Sequence, residues 1–432
     1  MRSSHGPSAL SATFDDTHAV AHAGLALVGV LSERLGLESV IDERVDLSGR
    51  AGYFRPGRKV STLVHSMVAG ADCIDDADML RSGSTGAVLP HRVMAPSTLG
   101  TFLRSFTFGH LRQLDAASEE LLARAWTLGA GPGDAPLTVD LDSTICPVHG
   151  YDKQGATFGY TKTRGLHPLL ATRADTGEVL HLRMRKGSAN TGRGAQRFVR
   201  ELVGRLRRSG ATGPLTLRAD SGFWSKHVVA ACRDHDVRYS ITVNQNTWVR
   251  QAIAAITEED WTDIDYTVGG VAQVAECPYG DGHRLVVRRT RFFSVQGELF
   301  FDWRHHAFIT DRTGTPVDLD ADHRAHATVE LAIRDLKEGA GLCHCPSGNF
   351  SANGAWALCA VLAHNLLRWM AVLGADHDGL LVAKTVRRQL LDVPGRLTSS
   401  ARRLTLHLPA RWPWAHSWLA CFERIRSLPQ LT

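Results

Sequence analysis

The feature that most constrains this chain of 432 residues is a change in the spacing of its apolar residues near position 130. In the stretches 20–37, 59–71 and 96–129, apolar residues recur every three or four positions, which predicts helices. After the segment 128–136, which is rich in Gly and Pro, the apolar runs become short and strand-like. We therefore predict a helical N-terminal domain over residues 1–130, followed by an α/β core.

The order of the predicted elements in the core favours one kind of sheet. Three strands come first, followed by a helix, a strand, a helix and a strand, over the segments 137–145, 167–175, 178–187, 194–210, 214–220, 225–236 and 238–246. This is the order of the ribonuclease-H-like α/β sheet, although a generic mixed α/β sheet also fits it. We expect the first part of the core to span residues 137–260.

The core is then interrupted. Residues 261–310 are strand-rich and predict a β insertion, and the core resumes over 311–375 with a helix predicted at 321–341. The apolar run 355–373 is nearly long enough to cross a bilayer, but it contains His364, Asn365 and Arg368. We therefore predict a buried helix and no membrane partner. Residues 376–432 form a basic C-terminal region.

The composition sets the broad class of the protein. It is 44% hydrophobic and 22% charged, which is typical of globular proteins, and 49 basic residues against 44 acidic ones leave a small positive excess. Eight scattered cysteines in a chain of this length predict reduced thiols, and residues 1–16 lack the apolar core of an export signal. We expect a cytoplasmic protein.

Two aspartates lie two positions apart on the first predicted strand, within LTVDLDSTI. Asp140 and Asp142 should therefore point to the same face of the sheet. A carboxylate in mid-strand is costly without a cation or a hydrogen-bond donor, which favours a metal site. An exposed strand edge or a turn at the strand end would also explain the pair.

A third aspartate, Asp220, directly follows an apolar strand within LTLRADSGFW. Ligand-binding side chains gather at the carboxyl ends of strands in open α/β sheets, so Asp220 is well placed for a site. The alternative is that it only caps the helical turn that follows.

The helix predicted around residue 330 carries the fourth candidate acid. Glu330 and Lys337 should lie on one side of this helix, with His323 and His326 on the same side one and two turns earlier. A solvated polar face would explain this pattern equally well. The two histidines are weak support for zinc, because they are three residues apart and no cysteine is near.

The order of these motifs is more informative than any one of them. An aspartate on a first strand, an aspartate after a fourth strand and a glutamate on a late helix meet in one cluster in the ribonuclease-H-like topology. Three carboxylates that offer only oxygen suit Mg²⁺ or Mn²⁺ rather than zinc. Such ions activate a water or a DNA 3′-hydroxyl for in-line attack on phosphorus.

Four segments resemble a known family. VDLDSTI, GYTKTRGLHPLLATRADTGEVLHLRMRKGSANTGRGA, LRADSGFW and HRAHATVELAIRDLKEGAGL are similar to the DDE transposases of the insertion-sequence-1380 group, relatives of the insertion-sequence-4 type. The resemblance runs from about Leu137 to Trp369. It implies a metal-binding catalytic triad of Asp142, Asp220 and Glu330, a β insertion before the glutamate, and cut-and-paste chemistry at the inverted repeats of a bacterial insertion sequence.

The wider relatives carry the signature Y-x-x-R-x-x-x-E-x-x-x-x-x-x-K on the glutamate helix. Glu330 and Lys337 fit it, and the resemblance implies a catalytic role for Lys337. His323 and His326 stand where the signature has Tyr and Arg, so the phosphate contact of that Arg would fall to His326. The family pattern favours Asp142 over Asp140, which becomes a neighbour of the site.

The partner we expect is double-stranded DNA, both the terminal inverted repeats and the target, bound by at least a dimer. Nine Lys or Arg residues between 183 and 208, against the single acid Glu201, predict a phosphate track that includes Arg185, Lys186 and Arg193. Arg288 and Arg289, with Trp303, are candidates for holding a DNA end. We also expect the helical N-terminal domain to bind DNA. The helix that starts at Pro96 fits entry into a DNA groove, but a plain packing helix explains it at least as well.

Three other functions fit parts of the pattern. A nuclease of the same fold would cut DNA without joining it, and a DNA-binding protein derived from a transposase would do no chemistry. A zinc hydrolase has only the scattered histidines in its favour.

Overall fold

A computed structural model describes residues 10–159, 162–280, 282–292, 303–375 and 381–431. The N-terminal part contains β1 (Ala19–Val20), α1 (Leu25–Leu35), α2 (Leu37–Arg44), α3 (Pro56–Ala69), α4 (Pro96–Arg104) and α5 (Phe108–Ala125). The first part of the core contains β2 (Leu137–Ser143), β3 (Cys146–Pro147), β4 (Thr157–Phe158), β5 (Arg164–Leu166), β6 (Leu169–Arg173), β7 (Val179–Arg183), α6 (Ala195–Arg208), β8 (Leu215–Ala219), α7 (Lys226–Asp234) and β9 (Val237–Thr242).

The remaining elements complete the fold. They are α8 (Thr247–Ala254), β10 (Thr262–Ile264), β11 (Gly270–Tyr279), β12 (His283–Phe292), β13 (Arg304–Thr310), α9 (Pro316–Arg324), α10 (Thr328–Gly339), α11 (Phe350–Gly374), α12 (Ala383–Val386), β14 (Gly395–Ser400), β15 (Arg403–His407) and α13 (Ala415–Ser427). The predicted α/β class is confirmed by a large mixed sheet with helices packed around it.

The main sheet has nine strands in the order β10-β11-β12-β13-β9-β8-β2-β6-β7. Strand β2 is antiparallel to β6, which is antiparallel to β7, whereas β2, β8 and β9 run parallel. The five strands predicted from 137 to 246 are therefore neighbours, and α6 and α7 lie in the connections that lead into β8 and β9, as parallel pairing requires.

The strands predicted as an insertion extend this same sheet. β13 pairs with β9, and β12, β11 and β10 follow as antiparallel neighbours. The part of the predicted strand pattern that falls between residues 293 and 302 lies outside the described residues.

Two helices predicted as continuous are each broken, so those predictions were wrong. The stretch 96–129 forms α4 and α5, because Thr107 and His110 cap the start of α5, with the Thr107 amide donating to His110 Nδ1 over 3.1 Å. The stretch 321–341 forms α9, a short 3₁₀ turn over 325–327 and α10.

The predicted buried helix is confirmed as α11, which packs against α3, α4, α5 and α13. It is long and apolar enough to cross a membrane, but most of it is buried inside the protein. Its polar residues bind neighbours: the side-chain amide of Asn365 donates to the Val179 carbonyl and accepts from the Val179 amide, each over 2.8 Å. Asn365 thereby occupies the free edge of β7.

Segments from the two ends of the sequence are interleaved. β1 pairs with β14, with Val20 opposite Gly395. The Arg387 guanidinium donates to the carbonyls of Val68 (2.7 Å) and Met67 (2.8 Å) at the end of α3. One hydrophobic core includes residues from both regions, so the boundaries predicted at 130 and 376 do not separate independent cores.

Candidate active site

The sheet brings two of the predicted acids side by side. β2 and β8 are parallel neighbours with Leu141 opposite Ala219, so Asp142 and Asp220 follow at matching positions. Glu330 lies in the first turn of α10, which packs against β2. The strand order and this helix contact therefore direct all three predicted acids to the carboxyl end of the same two strands.

Asp142 lies within electrostatic range of the other two predicted acids. Burial, helped by the negative charges of Asp220 and Glu330, raises the pKa of Asp142 to about 6, against the lowering effects of the Ser143 amide and the His326 ring. Desolvation also raises the pKa of Asp220, against the Gly222 amide and His326. Carboxylates that resist ionisation together are a favourable place for a cation.

The carboxylates of Asp142, Asp220 and Glu330 are suitable ligands for a divalent metal, but their oxygen atoms are not a group that lies within 4.8 Å of one another. Among the described residues, Asp72, Cys73 and Asp76 are the group of this kind whose ligand atoms all lie within 4.8 Å of one another. That acidic cluster could hold a metal, yet Asp76 already accepts the amides of Asp72 (3.1 Å) and Cys73 (3.2 Å), as a turn cap would. The triad at Asp142 is wider and offers only carboxylate oxygens.

Asp220 both caps a turn and borders the site. Its Oδ1 accepts the Gly222 amide over 3.0 Å, so the predicted alternative, a capping role, is also correct. One hydrogen bond leaves further lone pairs of the carboxylate for a cation.

Asp140 has a different role from its neighbour Asp142. It stands opposite Arg218 on β8 and is completely buried. It accepts Arg218 Nε over 2.7 Å, Arg218 Nη2 over 2.9 Å and His326 Nδ1 over 2.8 Å. Asp140 therefore holds an arginine and orients His326, whose ring in turn acts electrostatically on Asp142 and Asp220.

The two predicted histidines are separated by the break between α9 and α10. His323 is stacked on Phe308, with ring centroids 4.0 Å apart, and is hydrogen-bonded to Ser240 (2.7 Å) and Thr242 (2.9 Å). Burial lowers its pKa to about 3, so it is neutral. The prediction that both histidines share one helical face with Glu330 was wrong.

Lys337 reaches the end of β2. Its Nζ donates to Thr144 Oγ1 over 3.1 Å, two residues beyond Asp142. The Lys337 ammonium group therefore lies near the end of the strand that carries Asp142.

Most of the predicted phosphate track is engaged within the protein. Seven of its nine cations bind acids or carbonyls: Arg183, Arg185, Arg197, Arg200, Arg205, Arg207 and Arg208. Several of the acids, such as Asp115 and Glu119, lie on α5, so they do not appear in a count of the charged residues between 183 and 208. Lys186 and Arg193 are exposed, and neither has a side-chain ion pair or hydrogen bond within the described ranges.

Arg185 is buried and serves the loop that follows β7. Its guanidinium donates to the carbonyls of His167 (3.0 Å), Thr191 (3.0 Å) and Arg193 (2.9 Å), and burial lowers its pKa to about 10. Arg185 therefore stabilises this loop, and it does not lie on the open surface where the predicted phosphate track would place it.

The cations of the predicted insertion are also partly occupied. Arg289 is buried, binds Glu258 through two hydrogen bonds of 2.9 and 2.6 Å, and lies 4.2 Å from the centre of the Trp261 ring and 4.5 Å from that of Trp303. Its pairing with Trp303 is therefore internal packing. Arg288 is less enclosed, with its Nε 3.8 Å from Asp320.

Sequence reasoning missed the groove beside Asp220. A cavity of about 950 Å³ is lined by Arg193, Gly222, Trp224 and Asn244, among others. His167 fixes its wall, because its ring is bonded to the Ala189 carbonyl (2.7 Å) and to Ser143 Oγ (2.9 Å), next to Asp142. The glycines at 187, 192 and 194 are a signal in the sequence that could have indicated this loop.

Comparison with known proteins places the chain. Curated proteins give no match. Among solved structures, the cryo-EM synaptic complex of piggyBac transposase with hairpin DNA is similar, with a TM-score of 0.47 and 11% identity, covering 86% of this chain and 79% of that chain. A family model described as Transposase DDE domain group 1 matches residues 3–430. The chain therefore belongs to this family and is a DDE transposase, an enzyme that cuts and transfers DNA strands.

Proposed function

We propose that this transposase cuts DNA at the terminal inverted repeats of a bacterial insertion sequence of the 1380 type and joins the freed ends to target DNA. The observation that carries the proposal is the interaction of Asp142, Asp220 and Glu330, contributed by two parallel strands and one helix. The strand order supports a ribonuclease-H-like core, with β10–β13 as the insertion before the glutamate.

Mg²⁺ or Mn²⁺ is the cofactor in this proposal, held by oxygens of Asp142, Asp220 and Glu330. DDE transposases in general depend on a divalent metal. The metal, when bound, supplies an activated water or 3′-hydroxyl and neutralises the leaving oxygen. Asp142 has a raised pKa and has to lose its proton before it can serve as a ligand.

The other residues of the site act on the phosphate. Lys337, held at Thr144, provides a positive charge where negative charge develops on the attacked phosphate. His326 donates from Nδ1 to Asp140, and in its doubly protonated form it also donates from Nε2 to a phosphate oxygen. Arg218 keeps Asp140 in place and so acts through His326.

The DNA strand follows the groove beside Asp220. Arg193 lines this groove and Lys186 is exposed on the segment that leads into it, so both are available for phosphates. Arg288 is the remaining candidate on β12, whereas Arg185 and Arg289 support the fold. Two ends have to be paired for joining, so the protein works as at least a dimer on DNA, in the cytoplasm at the nucleoid.

The domain boundaries we propose follow the sequence: 1–130 for helical DNA binding, 137–260 and 311–375 for the core, 261–310 for the insertion and 376–432 for the basic region. They describe roles along one continuous core rather than separable units.

The experiment is cleavage of a labelled duplex that carries the terminal repeat, in Mg²⁺, Mn²⁺ or EDTA, with an unlabelled target plasmid present. We expect metal-dependent cuts at the repeat boundary and labelled joined products. Asp220→Asn should abolish both while it retains DNA binding, and the exposed Asp134→Asn should behave like the native chain.

The outcomes separate the alternatives. Cuts without joined products would indicate a nuclease, and tight binding without cuts in any metal would overturn the enzymatic proposal for this chain.

A further inference from the structure

Three cysteines that are distant in sequence meet near the strand that carries Asp142. Cys146 lies on β3, four residues after Asp142. Its thiol is hydrogen-bonded to the thiols of Cys343 and Cys345. The Cys343 Sγ also lies 3.9 Å from the Ile145 carbonyl. All three cysteines are free thiols in this structure, and we call them the thiol cluster.

The thiol cluster joins the two segments that carry the candidate active site. Cys146 follows the end of β2, whereas Cys343 and Cys345 lie in the loop after α10. The same two segments are already connected by the hydrogen bond of 3.1 Å from Lys337 to Thr144. A covalent bond within the thiol cluster would therefore tie the end of β2 to the helix that carries two of the predicted site residues.

The loop that follows α10 is held in place around its cysteines. Trp356 Nε1 donates to the Gly341 carbonyl over 2.7 Å, and the Lys153 ammonium donates to the Cys345 carbonyl. Cys345 has a φ of 48°, in the left-handed region that is strained for residues with a side chain. The two hydrogen bonds offset this strain and keep the loop against Cys146.

The three thiols differ in access and in acidity. Cys343 is half-buried, whereas Cys146 and Cys345 are completely buried. The hydrogen bond with Cys146, together with the charge of Lys337, lowers the pKa of Cys343 against the effect of burial. The contacts with the other two thiols, together with burial, raise the pKa of Cys146 well above its ordinary value. An accessible thiol that favours the thiolate and lies beside a second thiol is typical of cysteines that react with peroxides.

A metal site explains the thiol cluster less well than a disulfide does. Within the described ranges, the three sulfurs are not a group whose ligand atoms all lie within 4.8 Å of one another. A structural zinc site would also need a fourth ligand. A disulfide needs only two sulfurs, and the Cys146 and Cys343 thiols are already in contact.

We propose that the thiol cluster is a site of reversible oxidation by hydroperoxides, at which Cys343 and Cys146 form a disulfide. The Cys343 thiolate attacks one oxygen of hydrogen peroxide, the O–O bond breaks, and the released hydroxide takes up a proton to become water. The Cys146 sulfur then attacks the sulfur of the Cys343 sulfenic acid. The S–O bond breaks, and the hydroxyl group leaves with the Cys146 proton as a second water. Two thiols lose two electrons, and one peroxide gains them.

The disulfide changes the candidate active site, an effect that rests on the proposed function. Bond formation draws the loop after α10 toward β3 and so shifts α10 relative to β2. A displacement of about 1 Å can reduce a catalysed rate about 10²-fold. We therefore expect the oxidised protein to cleave DNA roughly 10²-fold more slowly, and a dithiol such as dithiothreitol to restore the rate.

The test exposes the reduced chain to hydrogen peroxide, blocks the remaining thiols with N-ethylmaleimide and identifies linked peptides by mass spectrometry. We expect a bridge between Cys146 and Cys343 in the native chain and in Cys345→Ser, and its loss in Cys343→Ser. Cys146→Ser should stop at a sulfenic acid on Cys343, which dimedone traps.

The matched control is Cys277→Ser on β11. Cys277 is also half-buried, with its Sγ 3.8 Å from the Ala252 carbonyl, but burial raises its pKa. This variant should form the bridge between Cys146 and Cys343 as the native chain does.

Two results would overturn the proposed site: the absence of any bridge in the oxidised native chain, or a bridge from Cys146 to Cys345 instead. Cys343→Ser carries the test even where Cys146→Ser fails to fold, because the Cys343 side chain is only half-buried.

Cleavage of the terminal-repeat duplex is measured on the reduced, the oxidised and the re-reduced chain. Cys343→Ser should keep its rate after peroxide treatment, and a bridge that leaves the native rate unchanged would overturn the effect on the active site. Because mass spectrometry detects the bridge without any DNA, a reduced chain that forms the bridge but never cleaves would count against the proposed function and in favour of the thiol site.

Discussion

Replacing Asp140 by Asn tests how the buried contacts of Asp140 with Arg218 and His326 support the candidate site. Asp140 is completely buried and accepts three hydrogen bonds, two of them from a guanidinium that is itself 3% exposed. Breaking one partner of a buried ion pair costs about 3 to 5 kcal/mol, because the other charge is left without compensation. Arg218 retains the Asp322 carbonyl at 2.6 Å, so we expect the lower end, about 3 kcal/mol.

The assay is unfolding in urea, monitored by circular dichroism. The change in unfolding free energy is calculated from the shift in the urea midpoint, with the dependence of the free energy on urea concentration held constant. The matched control is Asp175→Asn. Asp175 binds Arg173 with the same two-bond geometry, at 2.7 and 2.8 Å, but its side chain is 63% exposed. We expect its loss to cost less than about 1 kcal/mol.

A second measurement, the rate of DNA cleavage per folded molecule, separates the effect of Asp140 on stability from its effect on catalysis. Asp140→Asn also frees His326, so DNA cleavage per folded molecule should fall while the bound metal per molecule stays the same. If the two variants lose the same stability, or if Asp140→Asn loses less than about 1 kcal/mol, the account of Asp140 as a buried counter-ion is wrong.

Three further expectations concern other parts of the fold. Burial opposes ionisation of Asp115, but the charge of Arg205 prevails and holds the pKa of Asp115 below its ordinary value of 3.8. The stabilisation is therefore complete above pH 4 and is lost as the pH falls toward the folded-state pKa, so the unfolding free energies of the native chain and Asp115→Asn should converge in acid. Asn365→Leu should cost about 2 to 4 kcal/mol in urea unfolding, because it strands two buried backbone groups of Val179; a loss equal to that of an exposed Asn→Leu change would contradict this. Lys337→Met should slow cleavage roughly 10²- to 10³-fold without weakening DNA binding, and unchanged single-turnover rates would remove it from the site.

The regular part of the fold was predictable from local pattern. The order of strands and helices from 137 to 246 predicted the elements and favoured the observed strand neighbours over those of a generic mixed sheet, since short connections leave few arrangements of a sheet. The pairing of Asp142 with Asp220 followed from parallel strands, and Glu330 followed from the resemblance of its helix.

The acidic partners of the basic residues could not be predicted from the local sequence pattern, because they are distant in sequence. The basic run from 183 to 208 predicts a surface track only if its acids are nearby in sequence, yet Asp115 and Glu119 lie on α5. Asp140 and Asp142 are indistinguishable by alternation, and only the register that sets Asp140 opposite Arg218 assigns them different tasks. The break before α10 was hidden because 325–327 keeps nearly helical spacing.

The contact between Arg387 and the end of α3 has a consequence for synthesis. A ribosome adds about 5 to 20 residues per second, so roughly 16 to 64 seconds separate the two partners of this contact. Until Arg387 emerges, the last carbonyls of α3 lack their donors and β1 has no strand to pair with. The last turn of α3 therefore reaches its final packing only after Arg387 has been made, and a nascent chain that has not yet reached this residue carries an incompletely bonded α3.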